Sequence, residues 1–115
     1  MKTTTYNKLI RDNIPEIITE SGKTAVTEVL SDGEFIKMLD KKLTEELAEY
    51  QESKDIEELA DILEVIYAIA QTRVVSIVEL EKLRLDKADK RGAFSKKILL
   101  KEVAVYDIKS GKTPL

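Results

Sequence analysis

Nine carboxylates and one lysine fall within residues 43 to 65, LTEELAEYQESKDIEELADILEV, and leucines recur through the same stretch at helical spacing. Carboxylate oxygens are the ligands that hard divalent cations take. Two pairs stand out, Glu46 with Glu49 and Glu58 with Asp61, each spaced i, i+3. At roughly 100° per residue, Glu46 projects within the apolar stripe of Phe35, Leu39, Leu43, Leu47 and Tyr50, and Glu49 lies on its edge. Glu58 projects inside a second arc, made by Leu59, Ile62, Leu63, Val65, Ile66 and Ile69, which Asp61 borders. Glu45, Glu52, Glu57 and Glu64 point away toward solvent. Acids crowded at the edge of an apolar face repel one another and lose hydration, a cost that a divalent cation removes. All-oxygen ligation of this kind suits Mg²⁺ or Mn²⁺, with coordination positions left for water and phosphate oxygens.

Two antiparallel helices must position these pairs. Ser53, Lys54 and Asp55 form a polar break between two periodic segments, and Asp55 can cap the second. Counted outward from that turn, Glu49 and Glu58 are each about one helical turn away, and Glu46 and Asp61 about two. The four acids are therefore expected to converge in one layer of the hairpin. A plainer account exists for each pair. Acidic helix surfaces are ordinarily solvated, and Glu58 stands where an N3 capping-box partner of Asp55 would stand. The inward acid repeated in both helices favours the site.

A chain of 115 residues is expected to form one domain, residues 1–115, burying roughly two-thirds of its unfolded surface. Leu, Glu, Lys, Ile and Ala dominate and aromatics make up 5%, which favours a mainly α fold. Cysteine and histidine are both absent. Disulfides, zinc sites of Cys or His type, Cys nucleophiles and Ser-His-Asp triads are thereby excluded, so acid-base work falls to carboxylates, Lys or Tyr. The net charge of −3 hides an asymmetry. Residues 45–64 are acidic, whereas residues 82–101 carry Lys82, Arg84, Lys87, Lys90, Arg91, Lys96, Lys97 and Lys101 against Asp86 and Asp89. An acidic cation cradle and a basic anion patch could face each other, or the two could be surfaces paired within a bundle or across a dimer. The opening residues lack an apolar signal core, and the apolar run Val65 to Ala70 is too short to span a bilayer. A soluble, cytoplasmic protein is expected, with neither a membrane nor a nucleic-acid polymer as partner.

In chain order, Asn13, Glu16, Pro15 and Gly22 bound a helix near residues 13–21. Residues 24–30, TAVTEVL, read as a short strand between Gly22 and Asp32-Gly33. Ser31 with Glu34 starts a helix that runs to about Ser53. The next, from Ile56 to about Arg73, has so wide an apolar arc that it should be the central, most buried helix. Ser76 with Glu79 opens a third long helix that ends near Lys90, with Ile77, Leu80 and Leu83 inward, and Arg91-Gly92 stops it. Residues 98–108 read as a second strand able to pair with 24–30, before a fraying end. Val74, Val75 and Val78 look exposed and point to burial in a homo-oligomer, dimer or tetramer.

With these residues in place, the chain resembles the MazG-like all-α nucleoside triphosphate pyrophosphatases, relatives of phosphoribosyl-ATP pyrophosphohydrolase and of the dimeric dUTPases. Their EExxE and ExxD motifs stand here as Glu45-Glu46-Leu47-Ala48-Glu49 and Glu58-Leu59-Ala60-Asp61, and KLIRDNIPEII and KRGAF look like one predicted house-cleaning subgroup. The resemblance implies an antiparallel helical bundle of that type, with a small peripheral β element, completed by oligomerisation. It implies Mg²⁺ held by Glu46, Glu49, Glu58 and Asp61, with Glu46 and Glu49 catalytic, and hydrolysis of a nucleoside triphosphate to the monophosphate and pyrophosphate. The sequence departs from the pattern in the short spacing between Glu49 and Glu58, which puts the relatives' substrate-covering loop in doubt, and at Asn13 and Ala93, where the subgroup would have Lys and Gly.

Countercharge for the phosphates is expected from Lys8, Arg11, Lys90, Arg91 and Lys97, with Gly92 allowing close backbone approach. Each cation is equally an ordinary surface residue, and Gly92 equally a helix C-cap. Phe94 or Tyr67 could stack on a base, although core packing is the commoner role for both. Two other readings stay open: a non-catalytic helical interaction module whose acidic hairpin binds a basic partner, and the same fold acting on phosphoribosyl-ATP or another phosphorylated metabolite.

Overall fold

A computed structural model describes residues 2–105. Its elements are four helices, α1 (Ile14–Glu20), α2 (Asp32–Ser53), α3 (Ile56–Thr72) and α4 (Ile77–Arg91). The chain divides into two compact units, residues 1–77 and residues 78–115. The first contains α1 to α3, and the second takes α4 from Val78 onward.

In the first unit, α2 and α3 pack against each other as an antiparallel hairpin. Ser31 starts α2 as its sequence context requires. Its backbone is extended and its Oγ accepts from the Glu34 amide at 3.3 Å while donating to Glu34 Oε1 at 3.0 Å. That satisfies one of the amides that every helix start leaves unpaired. The helix ends at Lys54, which adopts the left-handed conformation (φ 59°) and donates its amide to the Tyr50 carbonyl at 2.8 Å. The Asp55 amide then bonds Ser53 Oγ at 3.1 Å. The chain reverses within these residues.

Asp55 and Asn13 occupy the N-cap positions of α3 and α1, but neither side chain makes a capping bond. Glu58 donates its amide to the Asp55 backbone carbonyl at 3.1 Å instead. The capping expectations for Asp55 and Asn13 are thus not realised, and the Glu58 carboxylate is not engaged at the helix start. Asn13 has helical backbone angles, whereas a capping residue needs extended ones.

The expected strands are absent among the described residues. Residues 24–30 favour extended backbone through their β-branched side chains, but a strand also needs a hydrogen-bonded neighbour. Val26 and Val29 remain exposed. Residues 98–105 likewise form no ladder. Residues 106–108 of the second expected strand, and the expected frayed end at 109–115, lie outside the described residues.

The hairpin core is small. Leu39 of α2 and Val65 of α3 are its buried apolar side chains, while Leu47, Leu59 and Leu63 stay substantially exposed. As expected, α3 is the most covered helix, with ten of its seventeen residues buried or half-buried against eight of twenty-two in α2, but its apolar arc is covered only in part. One neighbouring helix covers one flank of so wide an arc and leaves the other open. In the second unit, nine of the fifteen residues of α4 are charged, so little apolar surface is available to bury. Ile77 and Leu83, expected inward, are exposed, and Leu80 is half-buried. Arg84 and Glu81 pair along this helix through two hydrogen bonds. Gly92, at φ 81°, closes α4 by donating its amide to Ala88 at 2.8 Å. Among the described residues no helix is long and apolar enough to cross a membrane.

Candidate functional site

Leu39 and Glu46 are seven residues apart, two helical turns, and so share the buried stripe of α2. Glu46 is 7% exposed, the one charged residue among those buried in the described chain. An acid thus takes a position that the repeat would give to leucine. On α3, Glu58 and Asp61 precede Val65 along the same face, and the tight reversal at Lys54 brings that face against α2.

The acids gather as two overlapping triads. Glu45, Glu46 and Glu49 can each place one carboxylate oxygen within 4.8 Å of the others, and so can Glu46, Glu58 and Asp61. Glu46 belongs to both. The four acids expected to converge, Glu46, Glu49, Glu58 and Asp61, thus do not form one group: Glu49 gathers with Glu45 and Glu46, the α3 pair gathers with Glu46, and Glu46 links the two.

Three cations of the first unit border these acids. Lys42 Nζ lies 3.3 Å from both Glu45 Oε1 and Glu46 Oε1, Lys8 Nζ lies 3.1 Å from Glu45 Oε1, and Arg11 donates to Asp61 Oδ1 at 2.6 Å. The expected phosphate ligands Lys8 and Arg11 are thus at the acidic cluster. Lys90, Arg91, Gly92 and Lys97 are in the second unit, where Lys90 and Arg91 form the last turn of α4 and Lys97 adopts φ 58°.

Glu46 Oε2 is buried and accepts no hydrogen bond. Burial pushes the Glu46 carboxyl above the ordinary range; Lys42 pulls it down and the neighbouring Glu49 pushes it up again, leaving it raised. Glu58 is raised as well, by desolvation and then by the charges of Asp61, Glu46 and Asp55. Glu45 goes the other way: burial would raise it, but Lys8 and Lys42 outweigh burial and hold it low. Its hydrogen bond to Glu45 raises Lys8 in turn. An ionised carboxylate whose buried oxygen has no donor is a costly arrangement. A divalent cation fits it, because the donor set is entirely carboxylate oxygen and one oxygen of the central residue is unclaimed.

Two side chains lie elsewhere than the sequence suggested. Glu45, expected to point to solvent, is half-buried between Lys8 and Lys42, because Lys8 reaches it from a segment remote in sequence. Phe94, expected in the core, is 96% exposed, while Tyr67 is half-buried. Lys42 was not recognisable as a site residue from composition alone. Its signal was its position, three residues before Glu45 and four before Glu46, which places all three on one helix face.

No family model and no solved structure matches the chain. Over 42 residues it is 55% identical to an uncharacterized protein of Mycolicibacterium smegmatis, a match that covers 36% of this chain and 43% of that relative. The matched stretch thus spans less than half of either protein.

Proposed function

We propose that the chain is a Mg²⁺-dependent nucleoside triphosphate pyrophosphohydrolase that releases the monophosphate and pyrophosphate. One observation carries the reading: Glu46 is buried, shared by two carboxylate triads, and has an oxygen with no partner. Such a residue destabilises the metal-free fold and becomes favourable when a hard cation is bound. The EExxE and ExxD motifs add the resemblance to the MazG-like enzymes.

In this reading Glu46, Glu49, Glu58 and Asp61 hold Mg²⁺, and Mn²⁺ can replace it. The bound ion supplies charge neutralisation for the triphosphate and acidifies water. Glu46 and Glu49, one helical turn apart on α2, orient the attacking water. Arg11 and Lys8 stand at the rim, on Asp61 and Glu45, where they can meet phosphate oxygens. The basic segment of the second unit, Lys90, Arg91, Lys97 and the Gly92 backbone, keeps in this reading the phosphate-binding role that the sequence suggested. The exposed Leu47, Leu59 and Leu63 are covered by a second copy of the chain, in a cytoplasmic homodimer or homotetramer.

The test is pyrophosphate release over a panel of canonical and damaged nucleoside triphosphates, with and without Mg²⁺. Glu46→Gln is expected to reduce turnover by at least ~100-fold while far-UV circular dichroism stays unchanged. Turnover by the glutamine variant at the parent rate would end the proposal. Absence of turnover across the whole panel, by a well-folded parent protein in Mg²⁺, would end it too.

A further inference from the structure

Each acid that meets a cation in the first unit does so through one oxygen. Lys42 takes Glu46 Oε1 and shares Glu45 Oε1 with Lys8, and Arg11 takes Asp61 Oδ1. These contacts are unequal. Arg11 and Lys8 are largely solvent-exposed, whereas the Lys42 side chain is 17% exposed and its Glu46 partner 9%. A surface ion pair adds little, but a pair this sheltered is poorly screened. The charge count points the same way. Glu45, Glu46, Glu49, Glu58 and Asp61 oppose Lys8, Arg11 and Lys42, leaving two negative charges uncompensated. One divalent ion would cancel them.

We propose that Lys42 is the resident counter-ion of the cluster: it neutralises Glu46 in the metal-free protein and opposes a divalent cation for that carboxylate. This rests on the metal-binding reading above and deepens it. Lys42 Nζ stands 3.3 Å from the Oε1 of a carboxylate whose Oε2 is buried and unclaimed. An incoming cation at Oε2 would sit within a few ångströms of the ammonium and be repelled by it. Lys42 therefore trades tight metal binding for a fold that persists without metal. Its role is positional: it touches no reacting atom, and it sets how strongly Glu46 draws the ion.

The experiment compares the full-length parent with Lys42→Gln and Lys42→Arg. Mg²⁺ and Mn²⁺ affinities are measured by titration calorimetry in nucleotide-free buffer, and thermal midpoints in chelator and in saturating Mg²⁺. Lys42→Gln is expected to melt below the parent in chelator, to bind Mg²⁺ roughly tenfold more tightly, and to recover the parent's midpoint once Mg²⁺ is saturating. Lys42→Arg, which keeps the charge, is expected to bind Mg²⁺ as the parent does. Lys42→Met, which keeps the aliphatic stem, replaces the glutamine variant if that one does not fold in chelator. Unchanged or weaker Mg²⁺ binding by the neutral variant overturns the proposal, and so does a midpoint deficit that persists in saturating Mg²⁺. Binding by the variant where the parent shows none supports it, and binding by neither overturns it together with the metal reading. Parent protein that binds Mg²⁺ yet releases no pyrophosphate removes only the enzymatic reading.

Discussion

Glu46 sets the cost of the site at the scale of single residues. Its carboxyl is raised above the ordinary value of 4.5, first by burial and further by Glu49. A group with a raised folded pKa contributes stability that is present below its unfolded pKa and lost as pH rises through the folded one. Metal-free protein should therefore gain stability from this group on mild acidification from neutral pH. Glu46→Gln abolishes the charged form, so in chelator at pH 7 it should raise the thermal midpoint by about 4 °C, the shift that ~1 kcal/mol produces in a chain of this size. That gain should vanish below about pH 4.5, where the parent carboxyl is neutral as well. A pH series of melting curves checks this, and a gain that is independent of pH would refute it. The inward direction of Glu46 was legible in the sequence, because helical periodicity alone puts it on the Leu39 stripe. The confinement of Glu45 was not, because Lys8 reaches it across 37 positions and no local pattern encodes that contact.

Helix boundaries were legible wherever a side chain near in sequence determines them. Ser31 with Glu34 and the break at Ser53 to Asp55 bound α2 and start α3 where expected. Ser31→Ala should accordingly cost about 1 kcal/mol, measured as a lower urea midpoint with unchanged m-value. A loss under ~0.3 kcal/mol would mean that Glu34 is not capped in solution. The strand expectation at residues 24–30 fails for the opposite reason. β-branched composition reports a preference of each residue, whereas a ladder depends on a distant partner. The same distinction separates Asp55 from Ser31: both have the right residue type and position, but only Ser31 makes the bond.

For the whole molecule, the imbalance lies between apolar content and burial. Hydrophobic residues make up 43% of the sequence, yet Leu39 and Val65 are its buried apolar side chains among the described residues. On helical projection, Leu47, Leu59 and Leu63 fall on the flank of the hairpin opposite Glu49 and Asp61, so the acidic site and the open apolar face do not compete for the same surface. If a second copy covers that flank, Leu63→Glu should lower the assembly mass in sedimentation velocity and leave Mg²⁺ affinity within about twofold, since the two faces are separate. A parent protein that sediments as a monomer at micromolar concentration would exclude this arrangement. The mainly helical class was readable from composition and periodicity; what shields the leucines was not, because it is a property of surfaces and not of neighbours along the chain.

Lys8 and Arg11 lie three positions apart yet grip different helices of the hairpin, Lys8 at Glu45 of α2 and Arg11 at Asp61 of α3. The amino-terminal segment therefore bridges the two helices beside the acidic cluster, so a fusion tag placed ahead of it loads both contacts. The same bridge makes a reporter available. With no native thiol in the chain, one cysteine introduced at Tyr6 would carry a dye whose brightness follows the bridge as cations or nucleotides arrive.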